Sequence, residues 1–177
     1  MSQSGAFWGR VWLKVQDHYA KEKMTSNESS GTTYYHSCYR FGVDDKRRVQ
    51  VPAKWRPAKA DTEFTLFPWP KGQWQEACLL VLPPAERDAL VAKLRAMPYS
   101  DPRAQALRRL LGSKSDQVTL DKGGRICLPE VMAKAVGIEK EAVLVGLLDR
   151  FEIWNPERYD AAKALDEALS TEAFTLI

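Results

Sequence analysis

The sequence predicts an α+β fold built from two pseudo-repeated β units with short helices, joined by a helical pair. Three observations predict it. A ten-residue pattern occurs twice, apolar and polar residues alternate within both copies, and two helical stretches lie between them. The first copy reads Val43-Asp44-Asp45-Lys46-Arg47-Arg48-Val49-Gln50-Val51-Pro52, and the second reads Leu120-Asp121-Lys122-Gly123-Gly124-Arg125-Ile126-Cys127-Leu128-Pro129. At an offset of 77 both are apolar, Asp, three variable positions, Arg, apolar, x, apolar, Pro. Farther on, Leu79–Pro84 answers Phe151–Pro156 at an offset of 72, so the first copy holds five extra residues. Pro-Trp-Pro-Lys-Gly is turn chemistry, which places that insertion in a loop around Pro68–Gln75.

Residues 1–33 read as an N-terminal extension. Phe7, Trp8, Val11, Trp12 and Val15 suit an amphipathic turn or two, and SNESSGTT (26–33) suits a polar linker. Three readings are open: a docking arm, a flexible tail, or a start assigned too early with Met24 as the true one. The first unit spans 34–84, the linking helices 85–115, the second unit 116–160, and a C-terminal helix and tail 161–177. In each unit a strand enters a turn at the Asp, and a second strand buries Val49 and Val51, or Ile126 and Leu128. A proline then opens a short helix, where its missing N–H costs nothing. In the second copy Val131, Met132, Ala135 and Val136 supply that helix's apolar face and Gly137 stops it. Strands Ala142–Leu147 and Arg150–Trp154 follow. Asn155 caps the terminal helix, Pro156 opens it, and Ala162, Leu165 and Leu169 share one face. Between the copies, Pro84–Met97 carries Leu90, Leu94 and Met97 on one face. Asp101 caps a second helix from Pro102, with Leu107, Leu110 and Leu111 apolar and Gly112 ending it. One unit of this size has too little core to stand alone easily, so two in one chain imply a covalently linked pseudo-dimer burying its sheets together.

Composition narrows the function. The 177 residues carry 26 Lys+Arg against 23 Asp+Glu, a net charge of +3, with 45% hydrophobic and 28% charged residues. That is globular composition of moderate basicity. Three cysteines without C-x-x-C spacing and only two histidines exclude a Cys/His zinc site within the chain and argue against a secreted disulfide framework. A soluble, reducing compartment is the expectation. The longest apolar runs, Ala77–Leu82 and Ala142–Val145, fall far short of the ~18 residues needed to cross a bilayer. Asp44, Asp45 and Asp121 lack a third group to complete a catalytic or metal set, and Gly123-Gly124 is too short to cradle phosphate. Cys127, flanked by Ile126 and Leu128, is expected to be a partly buried thiol. No enzyme, cofactor, metal or small-molecule substrate is expected. Charge concentrates in residues 44–58, where Lys46, Arg47, Arg48, Lys54 and Arg56 face Asp44 and Asp45. Arg103, Arg108 and Arg109 form a second cluster, whose simplest reading is a solvated helix face.

Two D-x-K-G-R-φ-x-φ-P motifs about 75 residues apart, a helical pair between them, and Phe151-Glu152-Ile153-Trp154 before the last helix resemble the MraZ family of bacterial transcriptional regulators. The likeness covers about residues 34–169 and is closer in the second half. The family's halves belong to the SpoVT-AbrB class, so the resemblance implies two swapped-hairpin AbrB-type β-barrel units. It further implies a cytoplasmic, nucleoid-associated homo-oligomeric ring. Such a ring binds short direct repeats in double-stranded promoter DNA and represses its own cell division and cell wall gene cluster. The DNA-contacting residues map to Lys46 and Arg48 in the first motif and Arg125 in the second. There are departures. Arg47 stands where the first motif calls for glycine, which predicts a differently shaped tip. The opening Phe-x-Gly is replaced by Tyr35-His36-Ser37.

An exposed basic hairpin reaches phosphates, and an arginine fork matches two acceptors on a guanine edge. On this reading Arg48 reads a base or clamps a phosphate, Lys46 and Arg47 contact phosphates, and Lys122 assists Arg125. The competing reading pairs Asp44 with Arg48 and Asp121 with Arg125 across each turn. A second alternative for the whole chain is a ring-forming or antitoxin-like interaction module of the same hairpin class. It would dock a protein through the C-terminal helix and the tail residues Phe174, Leu176 and Ile177.

Overall fold

The computed structural model describes residues 33–59 and 61–177, so the N-terminal extension lies outside the described residues except for Thr33. Eight strands and five α-helices follow one another there: β1 (Cys38–Gly42), β2 (Arg48–Gln50), β3 (Phe64–Lys71), β4 (Trp74–Leu82), α1 (Pro84–Ala96), α2 (Pro102–Lys114), β5 (Asp116–Val118), β6 (Arg125–Cys127), α3 (Glu130–Ala135), β7 (Glu141–Gly146), β8 (Phe151–Trp154), α4 (Pro156–Ala168) and α5 (Ser170–Ala173). A 3₁₀ turn, Ala53–Trp55, follows β2 where α3 follows β6.

The antiparallel strands form a six-stranded sheet in the order β1-β7-β8-β4-β3-β5 and a two-stranded ribbon, β2-β6. That order is a palindrome of the repeat. The first strand of each unit pairs with the third strand of the other (β1 with β7, β5 with β3), and the fourth strands pair with each other at the centre. The second strands pair as well, with Val49 opposite Ile126. The expected common core is therefore built by strands interleaving within one sheet. Val49, Val51, Trp55, Phe64 and Leu66 from the first unit meet Ile126, Leu128, Val136, Leu144 and Phe151 from the second, all fully buried. Each such aliphatic or aromatic side chain contributes about 1.5–3 kcal/mol.

The insertion in the first copy is not a loop. It lengthens the β3–β4 hairpin, which turns at Gly72 (φ +58°) with a bulge between Trp69 and Lys71. Pro68 lies within β3, opposite Leu79. β5 covers β3 only from Phe64 to Leu66, so beyond that point β3 is an edge strand and tolerates prolines.

Helix ends follow their sequence signals with one exception. Asp101 caps α2 by accepting from the Arg103 N–H at 2.9 Å, and Asn155 caps α4 by accepting from the Arg158 N–H at 3.0 Å. α1 ends at Ala96, before Pro98. Gly137, at φ +72°, ends α3. Gly112 does not end α2, which runs on to Lys114. It takes no positive φ, and the Ser115 hydroxyl instead caps the Gly112 carbonyl at 3.1 Å. Two apolar faces also differ from expectation. On α3 the core residues are Met132, Ala133 and Val136, while Val131 points to solvent. A six-residue helix covers only one narrow stripe, and Val131 falls outside it. On α4, Ala162 is buried, but Leu165, and Leu169 just past the helix, are more than half exposed.

Candidate nucleic-acid interface

The two Asp-containing turns project from the β2–β6 ribbon and share one geometry. In the first, Asp44 N–H donates to the Arg48 carbonyl at 3.1 Å and Arg47 N–H to the Asp44 carbonyl at 2.8 Å. The Asp44 Oδ1 accepts from the Lys46 and Arg48 N–H groups at 3.0 and 2.9 Å. In the second, Asp121 N–H donates to the Arg125 carbonyl and Gly124 N–H to the Asp121 carbonyl, both at 2.9 Å. The Asp121 Oδ1 accepts from Gly123 and Arg125 N–H at 2.9 and 3.0 Å. An aspartate is needed here because its short side chain reaches backbone N–H groups two and four residues on, fixing the turn locally.

Equivalent residues, Arg47 (φ +58°) and Gly124 (φ +75°), hold the left-handed position of each tip. The first tip therefore keeps the shape of the second, against the expectation drawn from its missing glycine. Arginine bears a backbone conformation that costs a residue with a Cβ roughly 1–2 kcal/mol. Ser37, at φ +78°, likewise holds a left-handed position at the chain's departure from Phe-x-Gly.

The ribbon binds each tip to the opposite unit. Val51 N–H donates to the Gly124 carbonyl at 3.0 Å and Leu128 N–H to the Arg47 carbonyl at 2.9 Å. Gln50 Nε2 donates to the Gly123 and Gly124 carbonyls, both at 3.0 Å. Its repeat equivalent, the Cys127 thiol, donates to the Lys46 carbonyl at 3.3 Å. Cys127 is exposed, not partly buried, because the two-stranded ribbon has no layer above that face.

The five cations singled out in the sequence separate into three kinds. Lys46 and Lys122 are exposed at the tips, and among the described residues no carboxylate pairs with either. Arg48 and Arg125 meet across the pseudo-two-fold. Arg48 Nε donates to Asp44 Oδ2 at 2.8 Å, and Arg125 Nε to Asp121 Oδ2 at 2.9 Å. Longer cross-contacts run from Arg48 to Asp121 at 3.9 Å and from Arg125 to Asp44 at 3.8 Å. This is the pairing of the competing reading, extended into a four-charge ring. The ring is open on one side, since the arginine side chains remain 31% and 35% exposed. Arg47 turns back, with Nε donating to the Leu128 carbonyl at 3.3 Å and Nη1 3.9 Å from Glu130.

Hydrogen bonds from the Arg48 backbone hold the Asp44 carboxyl below its usual pKa, and the Arg125 side chain does the same for Asp121. Both aspartates stay ionised in neutral and mildly acidic solution.

Sequence reasoning missed Arg56 and Lys59 as site residues. With Pro57, Asp61, Lys122 and Gly124 they line a cleft of about 440 Å³ beside the second tip. Arg56 was legible as charge, but its repeat counterpart is Ala133, so the repeat gave no cue. The second basic cluster does not join the tips. Arg103 pairs with Asp101, and Arg108 donates to the Leu94 and Met97 carbonyls and lies over the Tyr99 ring, tying α2 to α1. Among the described residues no helix is long and apolar enough to cross a membrane, and no group of three or more His, Cys, Asp or Glu is placed to hold a metal.

The model of the MraZ protein family, described as antitoxin-like, matches residues 112–175. Relatives named transcriptional regulator MraZ match much more of the chain. One from Desulfitobacterium hafniense (strain Y51) is 36% identical over 140 residues, covering 78% of this chain and 94% of the relative. One from Symbiobacterium thermophilum is 37% identical over 121 residues, covering 68% of this chain and 83% of the relative. One from Acidithiobacillus ferrooxidans (strain ATCC 53993) is 31% identical over 132 residues, covering 73% and 87% respectively.

Proposed function

The chain belongs to the MraZ family, and on that premise we propose that it is a transcriptional regulator that binds double-stranded DNA through its two hairpin tips. The observation that carries the reading is the pair of matched aspartate turns on one ribbon, each presenting an exposed lysine that no carboxylate among the described residues pairs with. Lys46 and Lys122 contact phosphates. Arg48 and Arg125 offer the duplex the open edge of the four-charge ring, where a phosphate or a guanine edge competes with the aspartates for the guanidinium. Arg47 completes the first tip. The interleaved units are two swapped-hairpin domains of the SpoVT-AbrB class, which accounts for their second strands pairing across the pseudo-two-fold.

Two lysines per chain bind weakly, so the chain acts as a homo-oligomeric ring whose tips reach successive direct repeats of promoter DNA, with repression of its own gene cluster as the outcome. Avidity across the ring raises affinity by about 10²–10⁴ without new contacts. The test is a gel shift with duplexes carrying one repeat or three to four repeats from upstream of its own gene. Binding at least tenfold tighter to the multiple repeats is expected. Equal affinity for both counts against the ring, and no binding at low salt counts against the DNA reading.

A second reading, an antitoxin-like module that docks a protein, draws on the exposed Leu165, Leu169, Phe174, Leu176 and Ile177 and on the family's description. It predicts weak DNA binding that is indifferent to Lys46 and Lys122.

A further inference from the structure

The left-handed residue of each tip is crossed by a guanidinium, and the two guanidinium groups arrive from different places in the sequence. At the second tip Arg56 supplies it. Its Nε donates to the Val51 carbonyl at 3.0 Å, and a Cβ added at Gly124 would land on the guanidinium itself. At the first tip Arg47, the left-handed residue, bends its own side chain over, and its Nε donates to the Leu128 carbonyl at 3.3 Å. Val51 and Leu128 are equivalent residues of the repeat, and each donates its own N–H to the left-handed residue of the tip beside it. Arg56 lies five residues after Val51. Five residues after Leu128 stands Ala133, which has no guanidinium to give.

We infer that each tip has one guanidinium seat, bonded to the carbonyl of the neighbouring strand, and that Arg47 is a positioning residue filling on the first tip the seat that Arg56 fills on the second. One substitution thus takes the place of two. The arginine in the turn replaces both the small residue that the left-handed position favours and the arginine absent from position 133. Glu130, 3.9 Å from Arg47 Nη1, holds the charged end away from the tip's outer face. Arg47 therefore acts on DNA through Lys46, whose carbonyl and N–H lie in the turn it braces. The functional half of this inference rests on the DNA-binding reading; the seat itself does not.

Two sets of variants test it. Arg47→Gln keeps a donor at the position of Nε but removes the charge, whereas Arg47→Leu removes both. With salt-titrated binding to a duplex of the upstream repeats, Arg47→Gln is expected to hold affinity within about threefold and leave the salt slope unchanged. Arg47→Leu is expected to lose at least tenfold in affinity and to lower the melting temperature. A slope reduced by about 0.9 in Arg47→Gln would mean a direct phosphate contact and overturn the positioning role. The seat is tested without DNA at the second tip. Gly124→Arg alone forces two guanidinium groups on one carbonyl and is expected to lower the melting temperature sharply, and adding Arg56→Ala is expected to restore most of it. A double variant no more stable than Gly124→Arg alone would overturn the single seat, whatever the chain does with DNA.

Discussion

Replacing Lys46 and Lys122 together by alanine removes the two exposed cations at the tips that pair with no carboxylate among the described residues, and leaves every hydrogen bond of both turns in place. Each lysine that neutralises a phosphate adds about −0.9 to the slope of log affinity against log salt. Two per chain therefore contribute a slope of about −1.8. Between 50 and 200 mM salt that amounts to a weakening of about 12-fold for each engaged chain. Fluorescence anisotropy on a labelled duplex of the upstream repeats, titrated over that range, measures it. The double variant is expected to bind more weakly at 50 mM and to show a slope shallower by about 1.8 per engaged chain, with an unchanged melting temperature. Arg103→Ala with Arg109→Ala, on α2, serves as the control and is expected to leave the slope alone. A double lysine variant that keeps the wild-type slope would refute the assignment of phosphate contact to these tips.

Two further outcomes follow from the same geometry. Asp44 and Asp121 have folded-state pKa values below their ordinary ones, so their contribution to stability is complete above about pH 4 and is lost as pH falls through the lowered values. Asp44→Asn with Asp121→Asn keeps an acceptor for the turn N–H groups but removes the titration, so its melting temperature should fall less than the wild type's between pH 4.5 and 2.5; parallel curves would contradict the assignment. Deleting residues 170–177 removes the exposed Phe174, Leu176 and Ile177, which belong to none of the buried clusters among the described residues. If the tail joins copies of the chain in the proposed ring, the shortened chain should melt within about 2 °C of the full chain but form smaller assemblies by light scattering, and an unchanged assembly would exclude the tail from contacts between copies.

The repeat was legible because its signals are local. Asp, Arg and the flanking apolar residues fix a turn and a strand face within ten residues, and Val49, Val51, Ile126 and Leu128 are buried as their alternation requires. Strand partners were not legible. Alternation states which face of β1 is buried, and nothing in it states that β1 pairs with β7, a hundred residues away, instead of β3. The ends of α1 and α4 carried proline and cap signals that name one conformation. Gly112 was ambiguous, because glycine is compatible with a helix interior as well as with its end. At the site, residue type identified the tips and the two possible engagements of their arginines, but did not decide between them. The sequence left Arg48 between a DNA contact and a pair with Asp44, and the turn geometry brings it to 2.8 Å from Asp44 while no carboxylate among the described residues pairs with Lys46.

On the DNA-binding reading proposed above, that division of labour bears on how the chain would obtain specificity. Of the five cations named from the motifs, three are committed to carboxylates or carbonyls of the protein, so the tips are held rigid at the expense of free charge. A rigid tip with little free charge discriminates by fit more than by attraction, since nonspecific affinity comes from phosphate neutralisation. Its weak grip on any one site then favours DNA on which several tips fit at once. The interleaved sheet serves the same end. The two tips rise from one ribbon whose strands belong to different units, and one shared core supports both, so the spacing between Lys46 and Lys122 is set by β2–β6 pairing instead of by a linker. A slip in that pairing by one residue would turn Val49 and Ile126 out of the core, at about 1.5–3 kcal/mol each, which fixes the register and with it the spacing of the two lysines that the proposed function assigns to phosphates.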